Sequence, residues 1–310
     1  MTNFLGIEIG GTKLQLLTGD ANGIVDRKSF GVRREQGGVA IREQIRAAIK
    51  SLQPQFDWTA IGVGYGGPVD WKTGVTFCSH HVEGWDEFPL GDWLRELTGV
   101  PVVVENDTNA ATFGEAIRGA GMGFNPVFYT NSGSGVGGGL VVDGKIYHGA
   151  RKGEAEFGHV RLDRHGSTVE SRCSGWAVDN KVREATARNP KSTLGRMAAD
   201  LTGNEARALA PALRESCPLA RKILDETAAD LAYGLSHVVH LLHPEVIILG
   251  GGLSLIGEPW REAVALALPS FLMRAFAPGP EVRLAALGED TVPVGALILA
   301  ESAKSVSPLQ

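Results

Sequence analysis

The sequence has few cysteines, and their spacing builds no covalent framework. Cys78, Cys173 and Cys217 are odd in number, widely separated and form no C-x-x-C pair. A disulfide scaffold requires paired cysteines at short, regular spacing, whereas scattered free thiols are typical of a reducing compartment. We therefore expect no disulfides and predict a cytoplasmic location.

An excess of positive charge and a long apolar run are also missing. The chain has 30 lysines and arginines against 35 acidic residues, and no basic cluster is interleaved with aromatic residues. That balance argues against a typical nucleic-acid-binding protein. No stretch approaches the roughly 20 apolar residues of a membrane span, and no signal-peptide pattern precedes the first strand. We predict neither nucleic acid nor a membrane as a partner.

Glycine, in contrast, is abundant, with 41 residues that cluster in turns between strand patterns. Residues 4–17 show the pattern of a strand, a glycine turn and a second strand, and a turn at residues 20–23 leads into a third. Residues 127–147 repeat this order of parts around a glycine-rich turn at residues 132–139. Two such meanders, each followed by helical and strand patterns, predict an internally duplicated α/β protein rather than one continuous doubly wound sheet.

The remaining hydrophobic periodicity suggests how the chain is divided into domains. Helical spacing covers residues 41–52, 88–97, 218–243 and a segment from about 258, and strand patterns cover residues 59–64 and 245–249. A glycine-rich stretch without periodicity, residues 119–125, marks the predicted seam, with flexibility at its first five residues. We predict an N-terminal domain of residues 1–118, completed by a C-terminal helix at 293–305, and a C-terminal domain of residues 119–292.

The glycine clusters suggest phosphate binding. Backbone N–H groups in turns that lack side chains can approach phosphate oxygens closely. Gly133, Gly135 and Gly138 match the spacing of the dinucleotide fingerprint, but a strand pattern follows them instead of the helix that this motif requires. Each cluster alone is compatible with a plain hairpin. A third cluster, residues 250–252 after a buried strand pattern, favours nucleotide binding.

A polar segment at the end of an apolar run supplies a candidate catalytic base. Residues 100–104 have the pattern of a buried strand, and Asn106 and Asp107 follow just before a helical pattern. A carboxylate at such a turn can accept a proton from a hydroxyl group, and the helix N-terminus helps to keep it ionised. The alternative is that these residues only cap the helix.

In this order and spacing, the segments resemble the ROK family of sugar kinases and sugar-responsive repressors, within the actin, heat-shock ATPase and hexokinase superfamily. The resemblance covers nearly the whole chain and implies two duplicated actin-like (ribonuclease H-like) α/β domains with an interdomain cleft. It also implies three nucleotide motifs. These are a first phosphate motif of Gly10, Gly11, Thr12 and Lys13, a second of Gly133, Ser134 and Gly135, and an adenosine motif of Gly250, Gly251 and Gly252.

The same resemblance implies a set of sugar ligands. The segments G-G-P-V-D, E-N-D-T-N-A-A, E-F-G-H and E-S-R-C-S-G resemble the family's sugar-side loop, catalytic segment and two sugar motifs. The implied ligands are Gly67, Asn106, Asp107, Glu156, His159 and Glu170. A neutral polyol needs strong acceptors and groups that both donate and accept, and most of these side chains supply them. The alternative for His159 is a structural histidine, and we assign the other histidines to structure or surface.

Two departures from the family pattern concern metals. Glu8 stands where the family usually has Asp on the magnesium side of the triphosphate, so we predict that Glu8 helps to hold Mg²⁺, through water. The family's zinc cluster is missing, because residues 162–169 contain no cysteine. The nitrogen and sulfur candidates nearby are His159, His165 and Cys173, and a structural zinc site needs about four ligands. We expect no structural zinc.

We therefore predict an ATP- and Mg²⁺-dependent hexose kinase in which Asp107 is the general base. Two alternatives remain: a sugar-sensing protein of the repressor branch, and an ATPase that acts as a conformational switch. The chain begins at the first phosphate motif, with no room for the repressors' helix-turn-helix domain, which favours the enzyme. Glucose, mannose, fructose and N-acetylhexosamines are all candidate sugars, with glucose first on family prevalence. The resemblance also implies a homodimer or larger homo-oligomer.

Overall fold

The computed structural model describes residues 3–20, 23–77, 82–150 and 155–305; Cys78, His80 and His81 lie outside these ranges. The strands are β1 (Asn3–Ile9), β2 (Lys13–Asp20), β3 (Gly23–Gly31), β4 (Trp58–Tyr65), β5 (Val69–Asp70), β6 (Val75–Thr76), β7 (Val102–Asn106), β8 (Val127–Ser132), β9 (Val136–Val142), β10 (Lys145–Ile146), β11 (Val246–Gly250) and β12 (Glu281–Leu284). The α-helices are α1 (Gly37–Leu52), α2 (Leu90–Thr98), α3 (Asp107–Arg118), α4 (Val169–Cys173), α5 (Gly175–Arg188), α6 (Thr193–Ala198), α7 (Leu209–Arg214), α8 (Pro218–Leu242), α9 (Glu258–Ala267) and α10 (Thr291–Ser305).

The chain divides into two compact units. The first unit comprises residues 1–119, 144–154 and 289–310, and the second comprises residues 120–143 and 155–288. The sequence-based division differs mainly in residues 144–154, which it assigned to the C-terminal domain. Within the described ranges, none of the helices is both long and apolar enough to cross a bilayer.

The sheet of the first unit has the strand order β3-β2-β1-β4-β7. Strands β1, β2 and β3 form an antiparallel meander, while β1, β4 and β7 run parallel. The register pairs Ile9 with Tyr65, and Tyr65 with Asn106, so the carboxyl ends of the three parallel strands lie side by side. Polar residues that follow these strands are therefore gathered at one edge of the sheet.

The second sheet repeats this topology, with the order β10-β9-β8-β11-β12. Strands β8 and β9 form an antiparallel hairpin, and β8, β11 and β12 run parallel. The predicted duplication of an α/β unit is thus confirmed. Each sheet is covered by helices that bury an apolar core. One core contains Ile7, Ile45 and Leu94, and the other contains Phe128, Leu231 and Ile247.

The last helix, α10, packs unusually closely against its neighbours in the first unit. A Cβ atom at Gly62 of β4 would overlap the backbone carbonyl of Ala296, and one at Gly295 would overlap the carbonyl of Ala110 in α3. Only glycine permits such close backbone approach. The helix that begins with Asp107 therefore rests directly on the backbone of the C-terminal helix.

Candidate functional site

The predicted catalytic segment, with Asn106 and Asp107, forms the turn between β7 and α3, which we call the catalytic turn. Asn106 is the N-cap of α3, and its side-chain oxygen accepts hydrogen bonds from the backbone N–H groups of Thr108 and Asn109, at 2.9 and 3.1 Å. Asp107 is the first helical residue, and its Oδ1 accepts a hydrogen bond from the Thr108 hydroxyl at 3.2 Å. Asn106 thus caps the helix, which was the alternative role considered for both Asn106 and Asp107. The carboxylate of Asp107 lies at the positive end of the helix dipole.

The glycine loop after β4, which contains Gly66 and Gly67, lies against this turn. The Nδ2 of Asn106 donates to the carbonyl of Gly67 at 3.2 Å, and an amide nitrogen of this kind has a second proton to offer a ligand. A Cβ atom at Gly66 would lie 3.4 Å from Oδ2 of Asp107 and 3.4 Å from the Cα of Gly10. Asp107, Gly67 and the first glycine turn therefore meet at the carboxyl end of the first sheet.

Glu8 lies on β1, close to the first glycine turn. Its Oε2 accepts a hydrogen bond from Nε2 of buried Gln15 at 2.7 Å, across the pair of strands. Burial raises the pKa of Glu8, against the lowering effects of the Gln15 hydrogen bond and of the charges of Lys13 and Arg27. Glu8 is desolvated, and one of its oxygens is already hydrogen-bonded. It is therefore better suited to contact a cation through water than to be one of several protein ligands that surround the ion. Mg²⁺ commonly uses one or two carboxylates together with substrate phosphates.

The first glycine turn is closed by backbone bonds. Gly10 donates to the carbonyl of Lys13 at 2.9 Å, and the Arg34 side chain donates through Nε to the carbonyl of Gly11 at 3.0 Å. Lys13 lies 3.8 Å from the carboxylate of Glu289. The turn is thus held in shape by contacts on its own unit, with two cationic side chains, Lys13 and Arg34, beside it.

The second glycine turn joins β8 to β9 in the second unit and is bonded to a predicted sugar ligand. The backbone N–H of Val136 donates to Oε2 of Glu170 at 2.9 Å, and a Cβ atom at Gly135 would lie 2.5 Å from that oxygen. The carbonyl of Gly133 accepts a hydrogen bond from Gly175 at 2.7 Å. Glu170 therefore fixes the turn, and glycine is needed at position 135 for the carboxylate to reach it.

The other two predicted sugar ligands of this unit belong to one short 3₁₀ turn, Phe157–His159, with Glu156 as its N-cap and His159 as its last residue. Phe157 is buried and anchors the turn, while Glu156 and His159 on either side of it are exposed. Gly158 packs so closely on the carbonyl of Val136 that a side chain would overlap it. The turn thus presents one carboxylate and one imidazole to solvent, beside the strand that follows the second glycine turn.

The third glycine cluster ends β11 and packs against the second glycine turn. A Cβ atom at Gly250 would overlap the Tyr129 ring, and one at Gly251 would lie 2.6 Å from the backbone nitrogen of Ser132. Gly251 also has a φ of 78°, which L-residues with side chains rarely adopt. The predicted second phosphate motif and adenosine motif are therefore adjacent within the second unit.

The sequence interpretation missed the contact between buried Glu105 and partly buried His148. Glu105 is 3% exposed; its Oε1 accepts hydrogen bonds from the Asn106 backbone at 2.9 Å and from Nδ2 of Asn109 at 3.1 Å, while its Oε2 lies 2.6 Å from Nε2 of His148. The signal was available, because a carboxylate inside an apolar strand pattern requires a partner. Sequence spacing could not identify which residue that partner is.

The loop between the predicted sugar motifs is held by hydrogen bonds. Leu162 donates to the carbonyl of Ser167 at 2.9 Å, and Arg161 and Thr168 form a β-bridge. The Ser167 hydroxyl, with backbone N–H groups of the loop, lowers the pKa of exposed Asp163 to about 2. Cys173 is buried in the core, and burial raises the pKa of its thiol to about 12, which disfavours a metal-binding thiolate.

The ROK family sequence model matches residues 4–303. A glucokinase from Halalkalibacterium halodurans is 30% identical over 94% of this chain and 93% of its own length. The crystal structure of a ROK family glucokinase from Streptomyces griseus, in complex with glucose and AMPPNP, is 30% identical with a TM-score of 0.84, covering 97% of this chain and 99% of that one.

A ROK family transcriptional regulator shares the fold. Its structure is 20% identical, with a TM-score of 0.85, and the match covers 97% of this chain and 78% of that one. The chain therefore belongs to the ROK family, and it has the two-domain, actin-like fold that the sequence predicted.

Proposed function

We propose that the protein is an ATP-dependent hexose kinase and that Asp107 is its general base. The observation that carries this proposal is the position of Asp107, which is the first residue of α3 and lies next to the glycine loop and the first glycine turn. Capping by Asn106 means that Asp107 is not needed to satisfy the helix N-terminus. The glucokinase relatives support sugar kinase activity in general.

In the proposed reaction, Asp107 accepts the proton of a sugar hydroxyl while that oxygen attacks the γ-phosphorus of ATP. The bond from the γ-phosphorus to the bridging oxygen breaks, and ADP leaves. Phosphoryl transfer depends mainly on positioning and on electrostatic stabilisation. Asn106 and Gly67 hold the loop and the catalytic turn together, so the base keeps a fixed position.

We assign the nucleotide to the glycine turns and the sugar to polar side chains. Gly10, Gly11, Thr12 and Lys13, with Gly133, Ser134 and Gly135, would receive phosphate oxygens, and Gly250, Gly251 and Gly252 would pack against adenosine. The sugar hydroxyls would bond to Asn106, Asp107, Glu156, His159 and Glu170. Glu8 would hold Mg²⁺ through water; when bound, the ion neutralises charge on the phosphates.

A coupled assay with a sugar panel tests the proposal. Purified protein is given ATP, Mg²⁺ and glucose, mannose, fructose or an N-acetylhexosamine, and ADP release is measured. We expect sugar-dependent turnover, with glucose first because of the glucokinase relatives. Sugar binding without turnover would indicate a sensor, and ATP hydrolysis independent of sugar would indicate a switch. Cytoplasmic location, a homo-oligomer, and the absence of nucleic-acid and membrane partners remain predictions.

A further inference from the structure

We infer that His148 is a positioning residue for the catalytic turn, an inference that rests on the proposed function. His148 joins two segments of the first unit that carry proposed site residues. Its Nε2 bonds to Glu105, which directly precedes Asn106, and its ring stacks on Trp71, which follows the glycine loop. The ring centroids of His148 and Trp71 are 4.1 Å apart, with an interplanar angle of 16°.

The direction of the bond follows from the other partners of Glu105. Oε1 of Glu105 already accepts two N–H groups, from the Asn106 backbone and from the Asn109 side chain. Oε1 is thus an acceptor with both of its donors in place, and we assign the proton of the remaining contact to Nε2 of His148, with Oε2 as its acceptor. A buried carboxylate that loses one of its donors is left with an uncompensated charge. The Glu105 side chain would then shift to find water.

A shift of Glu105 would move the catalytic turn. Its carboxylate bonds to the backbone of Asn106 and to the side chain of Asn109, one on each side of Asp107. The hydrogen bond of the imidazole is to Glu105, so its proposed effect on Asp107 passes through that carboxylate. Small displacements of a catalytic group from its reactive geometry can cost about 10²-fold in rate.

The stack on Trp71 gives His148 a second contact, on the segment that follows the glycine loop. Trp71 directly follows β5, the short strand that begins two residues after Gly67. Its ring is 39% exposed, and Lys72 lies 5.3 Å from the ring centroid. The imidazole, which is mostly buried, therefore fixes the far end of the glycine loop while it donates to Glu105.

Two variants separate the bond from the stack. His148→Phe keeps a ring against Trp71 but removes the donor to Glu105, whereas His148→Gln keeps an N–H donor and loses the ring. We expect His148→Phe to lower kcat by about 10- to 100-fold, with little change in the KM for ATP. His148→Gln is expected to recover most of that loss. His237→Phe is the matched control, because His237 also contacts an aromatic ring, Tyr233, but belongs to α8 of the second unit.

The inference is overturned if His148→Phe lowers the melting temperature but leaves kcat at the wild-type value, since the residue would then be merely structural. It is also overturned if His148→Gln is as slow as His148→Phe. A double-mutant cycle with Asp107→Asn keeps this result separate from the proposed function. If His148 acts through the base, His148→Phe adds no further loss to Asp107→Asn. Full activity in Asp107→Asn alone would instead refute the proposed function.

Discussion

The two sheets have the same strand order but end in different chemistry. In the first, the edge strand β7 ends at Asn106 and leads into Asp107, which supply hydrogen-bonding and charged groups. In the second, the equivalent strand β12 leads into Ala285, and the turn after β8 depends on a missing side chain, because the Glu170 carboxylate reaches the backbone of that turn beside Gly135. The edge strand of the first copy therefore offers polar side chains, whereas the glycine turn of the second copy offers bare backbone. We expect the first to fail when polar atoms are removed, and the second to fail when carbon atoms are added.

The largest effect is expected from Asp107→Asn. An amide keeps the shape and the Thr108 contact but cannot accept the proton, and general-base contributions are about 10² to 10⁴ in rate. We expect kcat to fall by that range or more while sugar and ATP still bind. Steady-state kinetics and calorimetry of both ligands would measure this. Turnover close to wild type would remove Asp107 from the mechanism.

The second unit is tested by adding one methyl group, in Gly135→Ala. The new Cβ would lie 2.5 Å from Oε2 of Glu170, so the carboxylate must leave the backbone N–H of Val136. A hydrogen bond to a charged group is worth roughly 1.5–3 kcal/mol, so we expect about a tenfold rise or more in the KM for ATP and sugar.

Gly31→Ala is the control for this substitution. Its Cβ atom would meet nothing within 4 Å, and Gly31 has no positive φ. We expect its kinetic constants to equal those of the wild type. Equal behaviour of Gly135→Ala and Gly31→Ala would show that the second turn does not depend on bare backbone.

A smaller effect is expected from Glu8→Gln in the first unit. The amide retains the size of the side chain but loses the charge, so the Mg²⁺ concentration needed for half-maximal activity should rise and kcat should fall, with sugar affinity little changed. A Mg²⁺ titration of both proteins measures this. An unchanged titration would make Glu8 a structural residue.

The same residue predicts a pH dependence. Burial raises the pKa of Glu8, so it becomes protonated at a higher pH than an ordinary glutamate as the solution is acidified. The wild-type Mg²⁺ requirement should therefore rise as pH falls through that raised pKa, and the rise should be absent in Glu8→Gln. The free energy of unfolding should increase as pH falls through the same range, because the cost of burying the charged form of Glu8 disappears as the group is protonated.

The smallest effect is expected from removing metal other than Mg²⁺. The loop of residues 161–168 is closed by hydrogen bonds, so chelation followed by restoration of Mg²⁺ should leave activity and melting temperature unchanged. Elemental analysis of the purified protein completes the test. Stoichiometric zinc whose removal unfolds the protein would contradict the prediction.

Asp163→Asn tests the hydrogen bonds of that loop. The pKa of Asp163 is lowered to about 2 from 3.8, so its contribution to stability is present above the ordinary value and is lost as pH falls toward 2. We expect a small loss of thermal stability at neutral pH, because the side chain is exposed. The difference from wild type should shrink in acid, and a difference independent of pH would exclude the carboxylate as its cause.

Strong hydrophobic periodicity and turn-forming residues made much of the fold predictable. The helical pattern at residues 218–243 corresponds to α8, and the predicted strand at residues 59–64 lies within β4. The pattern at residues 88–97 overestimated its helix, since Pro89 is the N-cap of α2 and Phe88, which precedes a proline, is disfavoured in a helix. The helices between residues 169 and 214 were missed. Three of them, α4, α6 and α7, have only 5 or 6 residues and show too little periodicity. The longer α5 buries few apolar side chains, so its apolar stripe is weak.

The candidate site was predictable only where neighbours in sequence act together. Capping by Asn106 beside Asp107 is local, so the sequence contains both residues of that turn. The Glu105–His148 bond joins residues 43 positions apart, and no spacing rule connects them. The contact of Gly135 with Glu170 is likewise a property of tertiary packing, which single-sequence patterns do not encode.

The close packing of α10 has a consequence for synthesis. Asp107 leaves the ribosome early, but the helix it begins rests on the backbone of Thr291 and Gly295, which are made last. The whole second unit is synthesised in between. The first unit, although it is encoded first, cannot complete its core until the second unit has been translated. A nascent chain that lacks residues 289–305 therefore carries every proposed catalytic side chain but has no supporting surface beneath α3.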